Sequence, residues 1–318
     1  MRALPERSQD PDPDSETGLA ALAAALREGG GPAALRAEIR AGGDPLGAAF
    51  ARLRPSRDRR ALGATYTPPA IVAAMLAWAE RAARAPIRRI VDPGAGSGRF
   101  LLAAARRFPE AALVGVEIDL LPAELLRANL AVAGLAGRAT VIGGDYRSAV
   151  LSPVDGATLF IGNPPYLRHH GIAPEWKDWY AAAAARFGVK ASRLAGLHLH
   201  FFLRTLELAR PGDLGCFVTA AEWLDVNYGA ALRRLLAGPL GLAALYRLAP
   251  KALPFADAVT TGAIMGFRPA VHEGSAREAV EVGDIAALDR LGTLSNGRIV
   301  SRRAFAAPRW SQIGRARA

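Results

Sequence analysis

Asp92-Pro93-Gly94-Ala95-Gly96-Ser97-Gly98 joins a short apolar run, Arg89-Ile90-Val91, to a helical run from Arg99 to Arg107. Glycines in a strand-to-helix turn let the backbone bend sharply and approach a ligand closely, and the helix behind them presents unpaired amides. Nucleotide-binding α/β folds share this device, so alone it constrains the fold more than the chemistry. The chain keeps the same rhythm afterwards. Strands are expected at Ala112 to Val116, Thr140 to Ile142, Thr158 to Ile161, Gly215 to Thr219, Ala243 to Leu248 and Val259 to Phe267. Helices are expected between them, at Leu121 to Ala133, Leu197 to Arg210 and about Tyr228 to Leu236. The alternation predicts an α/β fold: a mostly parallel, seven-stranded sheet with helices on both faces.

Upstream, residues 1–17 read as a disordered tail and residues 18–60 as a helical lead-in of short Ala/Leu helices broken by Gly29-Gly30-Gly31-Pro32 and Gly42-Gly43-Asp44-Pro45. A helix is expected from Thr67-Pro68-Pro69 to about Arg84, with its prolines in the first turn. Residues 61–270 form the expected catalytic domain. The insertion after the fourth strand reads as irregular through about Ser192, and residues 271–318 read as a polar, weakly periodic extension.

Forty Lys and Arg against 29 Asp and Glu give a formal net charge of +11, which favours a polyanionic partner through counterion release. The lone cysteine, Cys216, excludes an internal disulfide framework and a multi-cysteine zinc site. No signal-peptide core and no uncharged run of about 18 residues is present, so a cytoplasmic location without a membrane span is expected.

Chemistry enters at the strand ends. Glu117 closes the second strand roughly 20 residues after the glycines, where a carboxylate can accept both hydroxyls of a ribose. Asp145 follows the third strand and would sit beside an adenine ring. An adenosine-bearing cofactor is implied. Directly after the fourth strand stands Asn163-Pro164-Pro165-Tyr166: an amide and a neighbouring carbonyl made rigid by two prolines, beside an aromatic stacking face. That arrangement suits a planar amine. His198 and His200 lie two apart on a helix and indicate neither a metal pair nor a catalytic base, and no metal is expected. Arg168, His169 and His170, with Trp176 and Trp179, read either as a basic and aromatic lip for DNA or as ordinary loop packing.

The order Ala64-Thr65-Tyr66-Thr67-Pro68, the Asp92 to Gly98 loop, Glu117, Asp145 and Asn163 to Tyr166 resembles the gamma-class N6-adenine DNA methyltransferases of restriction-modification systems, over roughly residues 60 to 268. The resemblance implies a Rossmann-like class I methyltransferase fold, S-adenosylmethionine as cofactor and DNA as substrate. It implies that Thr65, Tyr66 and Thr67 border the methionine portion of the cofactor, with Asp92, Gly94, Gly96 and Gly98 on its other side. Glu117 would hold the ribose, Ile118 pack on the adenine, and Asp145 accept from the adenine amino group. Asn163, which would also border the cofactor, and the carbonyl of Pro164 would bind the target amine, with Pro165 stiffening the turn. Tyr166 and Phe255 would stack on the target base.

The same four-residue device also serves cytosine N4, ribosomal RNA and release-factor glutamine methylation, and a non-catalytic DNA-binding subunit could retain the fold. The Thr-Tyr-Thr-Pro segment and the long insertion after Tyr166 favour DNA adenine. Family members that read a target sequence alone carry a substantial recognition domain after the catalytic one, and about 50 residues follow Arg268 here. The expectation is therefore a fragment, a separate specificity or nuclease subunit as partner, or low specificity.

Overall fold

The computed structural model describes residues 14–54, 67–249, 261–269, 277–282, 298–300, 309–311 and 313. Nine strands form one sheet in the order β3-β2-β1-β4-β5-β7-β6-β8-β9. They are β1 (Ile87–Pro93), β2 (Ala112–Glu117), β3 (Ala139–Gly143), β4 (Ala157–Gly162), β5 (Leu214–Ala220), β6 (Leu242–Leu248), β7 (Gly262–Phe267), β8 (Arg277–Val282) and β9 (Arg298–Val300). The pairings among β1 to β5 are parallel, whereas β7 lies antiparallel between β5 and β6. The expected start of the last core strand at Val259 lies outside the described residues.

The helices follow from local signals. α1 (Glu16–Arg27) is capped by the Ser15 side chain, which accepts from the Gly18 amide, and α2 (Ala33–Arg40) follows it. α3 (Pro45–Leu53) begins with Asp44 as cap and Pro45 in the first turn. α4 (Pro69–Ala82) starts two residues after Thr67. α5 (Arg99–Arg107) and α6 (Leu120–Val132) complete the first half. α7 (Pro174–Arg186), α8 (Leu197–Leu208) and α9 (Ala230–Ala237) belong to the second.

Apolar clusters cover both faces of the sheet. Met75 and Trp78 of α4 and Leu101 of α5 pack with Ile90, Leu159 and Ile264. Phe202 of α8 and Leu232 of α9 pack with Phe160, Phe217 and Met265 on the other face. Every residue of β4 is buried, as a strand covered on both sides requires. Strand order reverses at β1, with β2 and β3 to one side and β4 and β5 to the other, so the crevice at the carboxyl ends of β1 and β4 is the switch point where such sheets bind ligands.

Three expectations need correction. The insertion after Tyr166 is not irregular throughout: α7 runs through Pro174-Glu175-Trp176 and five alanines. Only Tyr180, Ala183 and Ala184 of α7 are buried, which leaves too weak an apolar stripe to read. Beyond Arg268, β8 pairs parallel to β6 and β9 antiparallel to β8, extending the sheet by backbone hydrogen bonding that needs no continuous apolar run. Finally, α1 begins at Glu16, inside the segment read as tail, and residues 1–13 lie outside the described residues. Among the described residues no helix is long and apolar enough to cross a membrane.

Gly266 in β7 is required by a close approach. A Cβ there would overlap the Trp78 ring of α4. Gly266→Ala is expected to cost about 1–3 kcal/mol, because the helix must shift or the indole leave its rotamer. Urea denaturation that showed no loss would overturn this packing account.

Candidate functional site

The loop after β1 is shaped by its glycines. The amides of Gly94 and Ala95 donate to the Val116 carbonyl of β2, at 2.8 and 3.0 Å. Gly94, Gly96 and Gly98 all have positive φ, at 79°, 54° and 98°, where any other residue would be strained. At Gly98 a Cβ would also overlap Leu126 of α6. The loop borders a cavity of about 490 Å³ that Thr67, Glu117, Ile118, Asp145, Asn163 and Pro165 also line.

Glu117 is locked by backbone. Its Oε2 accepts from the Gly96 amide at 2.8 Å and its Oε1 from the Asp119 amide at 2.9 Å. Each carboxylate oxygen keeps a further lone pair for a ligand hydroxyl. Burial raises the pKa of this carboxyl, and the amides oppose that shift. Beside it Ile118 projects an apolar side chain 62% exposed, placed to cover a ring in the cavity.

Asp92 lies under the loop, 1% exposed. Neither carboxylate oxygen has a hydrogen-bond partner among the described residues. Burial, then the like charge of Glu117, push its pKa well above the usual carboxylate range. A buried acceptor left in this state calls for a cationic or donor group. Gly162 leaves room for this carboxylate, since a Cβ there would stand 2.5 Å from Asp92 Oδ1.

The two motifs furthest apart in sequence meet directly. Asn163 Nδ2 donates to Thr67 Oγ1 at 3.1 Å, and the Thr67 carbonyl accepts from Arg99 Nη1 at 2.9 Å. Thr67 is 3% exposed, held between the cofactor loop and the Asn-Pro-Pro-Tyr turn. Asn163 and Pro165 line the cavity, whereas Pro164 is buried. Tyr166 does not line it: its hydroxyl bonds toward Thr219 and Ala220, and its ring lies 5.5 Å from His198. Thr65, Tyr66 and Phe255 lie outside the described residues.

Asp145 has a partner that spacing did not predict. Its Oδ1 accepts from the Arg147 amide at 2.8 Å and from Arg147 Nε at 2.9 Å, and the same guanidinium lies 4.0 Å over the Trp176 ring. Trp176, Ile172 and Ala173 of the insertion thereby wall the cavity. His198 and His200 are buried, and burial is the leading cause that lowers their pKa values to about 4 and about 3. His200 stacks on Tyr180 at 4.4 Å. No cluster of three or more metal-ligating side chains occurs among the described residues.

One network was missed altogether. Ser97 Oγ donates to Asp44 Oδ2 at 2.6 Å, and Asn129 Nδ2 bridges Asp44 Oδ1 and the Ser97 carbonyl at 3.0 and 2.9 Å. The lead-in is thus bolted to the glycine loop. The only sequence signal was the Asp44-Pro45 helix start, which says nothing of where that helix lands.

Comparison with known proteins adds the following. Residues 155–242 match the model of the Eco57I restriction-modification methylase family. The chain is 53% identical over 254 residues to the type II methyltransferase M.XamI of Xanthomonas campestris pv. amaranthicola, covering 80% of this chain and 47% of that relative. It thus spans about half the length of that relative. Among solved structures, the methyltransferase subunit of a type I restriction-modification system from Streptococcus thermophilus superposes with a TM-score of 0.60 at 17% identity, over 83% of this chain and 62% of that one. A Listeria monocytogenes protein assigned to the class I S-adenosylmethionine-dependent methyltransferases superposes with a TM-score of 0.63 at 14% identity, over 81% and 79%. The fold is that of a Rossmann-like class I methyltransferase, and the sequence is similar to restriction-modification methyltransferases.

Proposed function

We propose that this chain, similar as it is to restriction-modification methyltransferases, carries the catalytic domain, residues 61–270, of a DNA methyltransferase specific for the N6 amino group of adenine. The observation that supports this best is the Asn163 amide, tied to Thr67 at the edge of the cavity bounded by the glycine loop and Glu117. S-adenosylmethionine fits the residues present. Its ribose hydroxyls would meet Glu117 and its adenine Ile118, with Asp145, held by Arg147, at the edge of that ring, and its ammonium would lie over the glycine loop beneath which Asp92 is buried without a partner among the described residues. When bound, the sulfonium supplies an already activated methyl group, so the protein need not supply a metal or a strong base.

The chain's own residues do the rest. The lone pair of an adenine amine is delocalised into the ring, and two acceptors that draw its hydrogens toward a tetrahedral arrangement localise the pair on nitrogen. The Thr67 hydroxyl engages the donor branch of the Asn163 amide, which orients Oδ1 as acceptor; the Pro164 carbonyl is the second. Pre-set dipoles and alignment, rather than proton transfer, then provide the rate. Extruding the base costs a few kcal/mol, which stacking on Tyr166 and Phe255 would offset in part. The partners on this reading are DNA and a separate specificity or nuclease subunit, in the cytoplasm.

Incubation of the protein with labelled S-adenosylmethionine and unmethylated DNA, followed by digestion to nucleosides and mass spectrometry, tests the reading. N6-methyldeoxyadenosine is the expected product. Label found instead as N4-methyldeoxycytidine, or only in RNA or protein, would overturn it.

A further inference from the structure

Helix α3 precedes every motif that points to the chemistry, yet one of its faces belongs to the cavity. Gly47, Phe50 and Ala51 line it, at the i, i+3 and i+4 spacing of a single helical face, and so does Arg54, the extended residue that caps the helix. The neighbouring flank, with Leu46 and Ala49, packs into an apolar cluster with Leu19 of α1 and Leu125 and Ala128 of α6, and Phe50, partly buried, packs against the edge of that cluster as well as lining the cavity. The seat is close-fitting: a Cβ on Gly47 would overlap Asp44 Oδ2 and Ser97 Oγ. At the far end of α3, Arg54 pairs with Glu16 at 2.6 Å and with Asp119, two residues beyond Glu117. Its guanidinium carbon lies 4.8 Å over the Phe50 ring. The Phe50 ring is therefore held in place by an ion-paired cation, beside the same strand end that presents Ile118.

We propose that Phe50 is a positioning residue for the nucleoside of the cofactor, packing its ring on the adenosine end of the cavity while Arg54, through Asp119, holds that wall closed. The proposal rests on the S-adenosylmethionine reading above. It makes the lead-in part of the cofactor site rather than an appendage, with Asp44 and Ser97 setting the distance between α3 and the glycine loop. An aromatic face contributes dispersion and stacking that an aliphatic side chain of similar bulk does not reproduce.

The test is calorimetric binding of S-adenosylhomocysteine to the full chain and to its Phe50→Ala, Phe50→Leu and Phe50→Tyr variants, with cofactor KM and kcat for methyl transfer. Phe50→Ala should raise Kd about tenfold, Phe50→Leu by several-fold, and Phe50→Tyr should restore binding to near the original value. Cofactor KM should rise in parallel, with kcat at saturating cofactor falling much less. Phe50→Leu keeps the apolar volume and so reports on binding even where Phe50→Ala does not fold. Unaltered binding by Phe50→Leu, or a loss that falls on kcat while Kd stays put, would overturn the proposal. If the unaltered chain itself fails to bind S-adenosylhomocysteine, the functional reading falls, whereas normal binding by the chain and equal binding by Phe50→Leu removes only the role of Phe50.

Discussion

On the proposed function, methyl transfer into DNA should fall by about a hundred- to a thousandfold when Asn163 is replaced by alanine, the range seen when one pre-set dipole is taken from a reacting centre. Cofactor affinity should change little, because Glu117 and the loop amides stand on other strands and their hydrogen bonds do not pass through Asn163. The substitution removes an amide held at 3.1 Å by Thr67 and with it the oriented oxygen. Single-turnover transfer of labelled methyl groups, alongside calorimetry with S-adenosylhomocysteine, separates the two effects. Undiminished transfer would refute the assigned role, and equal loss of binding and transfer would show that Asn163 merely supports the cofactor pocket.

Replacing Asp92 by asparagine should do two opposite things. In the folded chain burial and the charge of Glu117 raise the Asp92 pKa above its unfolded value of about 4. A raised carboxyl contributes stability that is complete below the unfolded pKa and is lost as pH rises through the folded one. Near neutral pH the cofactor-free chain thus holds an unfavourable buried carboxyl, and Asp92→Asn, nearly the same shape without the charge, should raise its thermal midpoint. The midpoint difference between variant and original should shrink as pH is lowered from about 8 to about 5.

On the proposed function cofactor binding should move the other way, falling at least about tenfold in Asp92→Asn, because the carboxylate that would balance the ammonium's charge is gone. Thermal scans with and without S-adenosylmethionine read both effects. A variant that is less stable without cofactor, or that binds cofactor as well as the original, would show that Asp92 is satisfied in some other way. Such an exchange of stability for function is common where a site keeps a group unpaired for its ligand.

The acids of the site were legible for a simple reason. Parallel strands all end on one edge of the sheet, so Asp92 and Glu117, at the ends of their strands, and Asp145 and Asn163, just past theirs, had to converge there. The glycines at 94, 96 and 98 were legible too, since their positive φ is a local demand. The orientation of individual side chains was not. Spacing placed Asp145 at the site but not Arg147 upon it, and placed Tyr166 beside Asn163 without showing that its hydroxyl turns toward Thr219. The 13 residues of α7 also escaped, because a helix with so narrow a buried stripe leaves almost no period to detect.

From residue order alone came the α/β alternation and the strand end at which each candidate residue stands. Those depend on local backbone preference and on which side chains are apolar, and both are written within a few residues of each position. Tertiary packing decided that α3 closes against Ser97, that Thr67 reaches Asn163 across 96 positions of chain, and that Asp92 is sealed away without a partner. Such contacts arise when whole elements dock by shape and burial, and neither the spacing nor the type of the residues that meet there records which partner they will find.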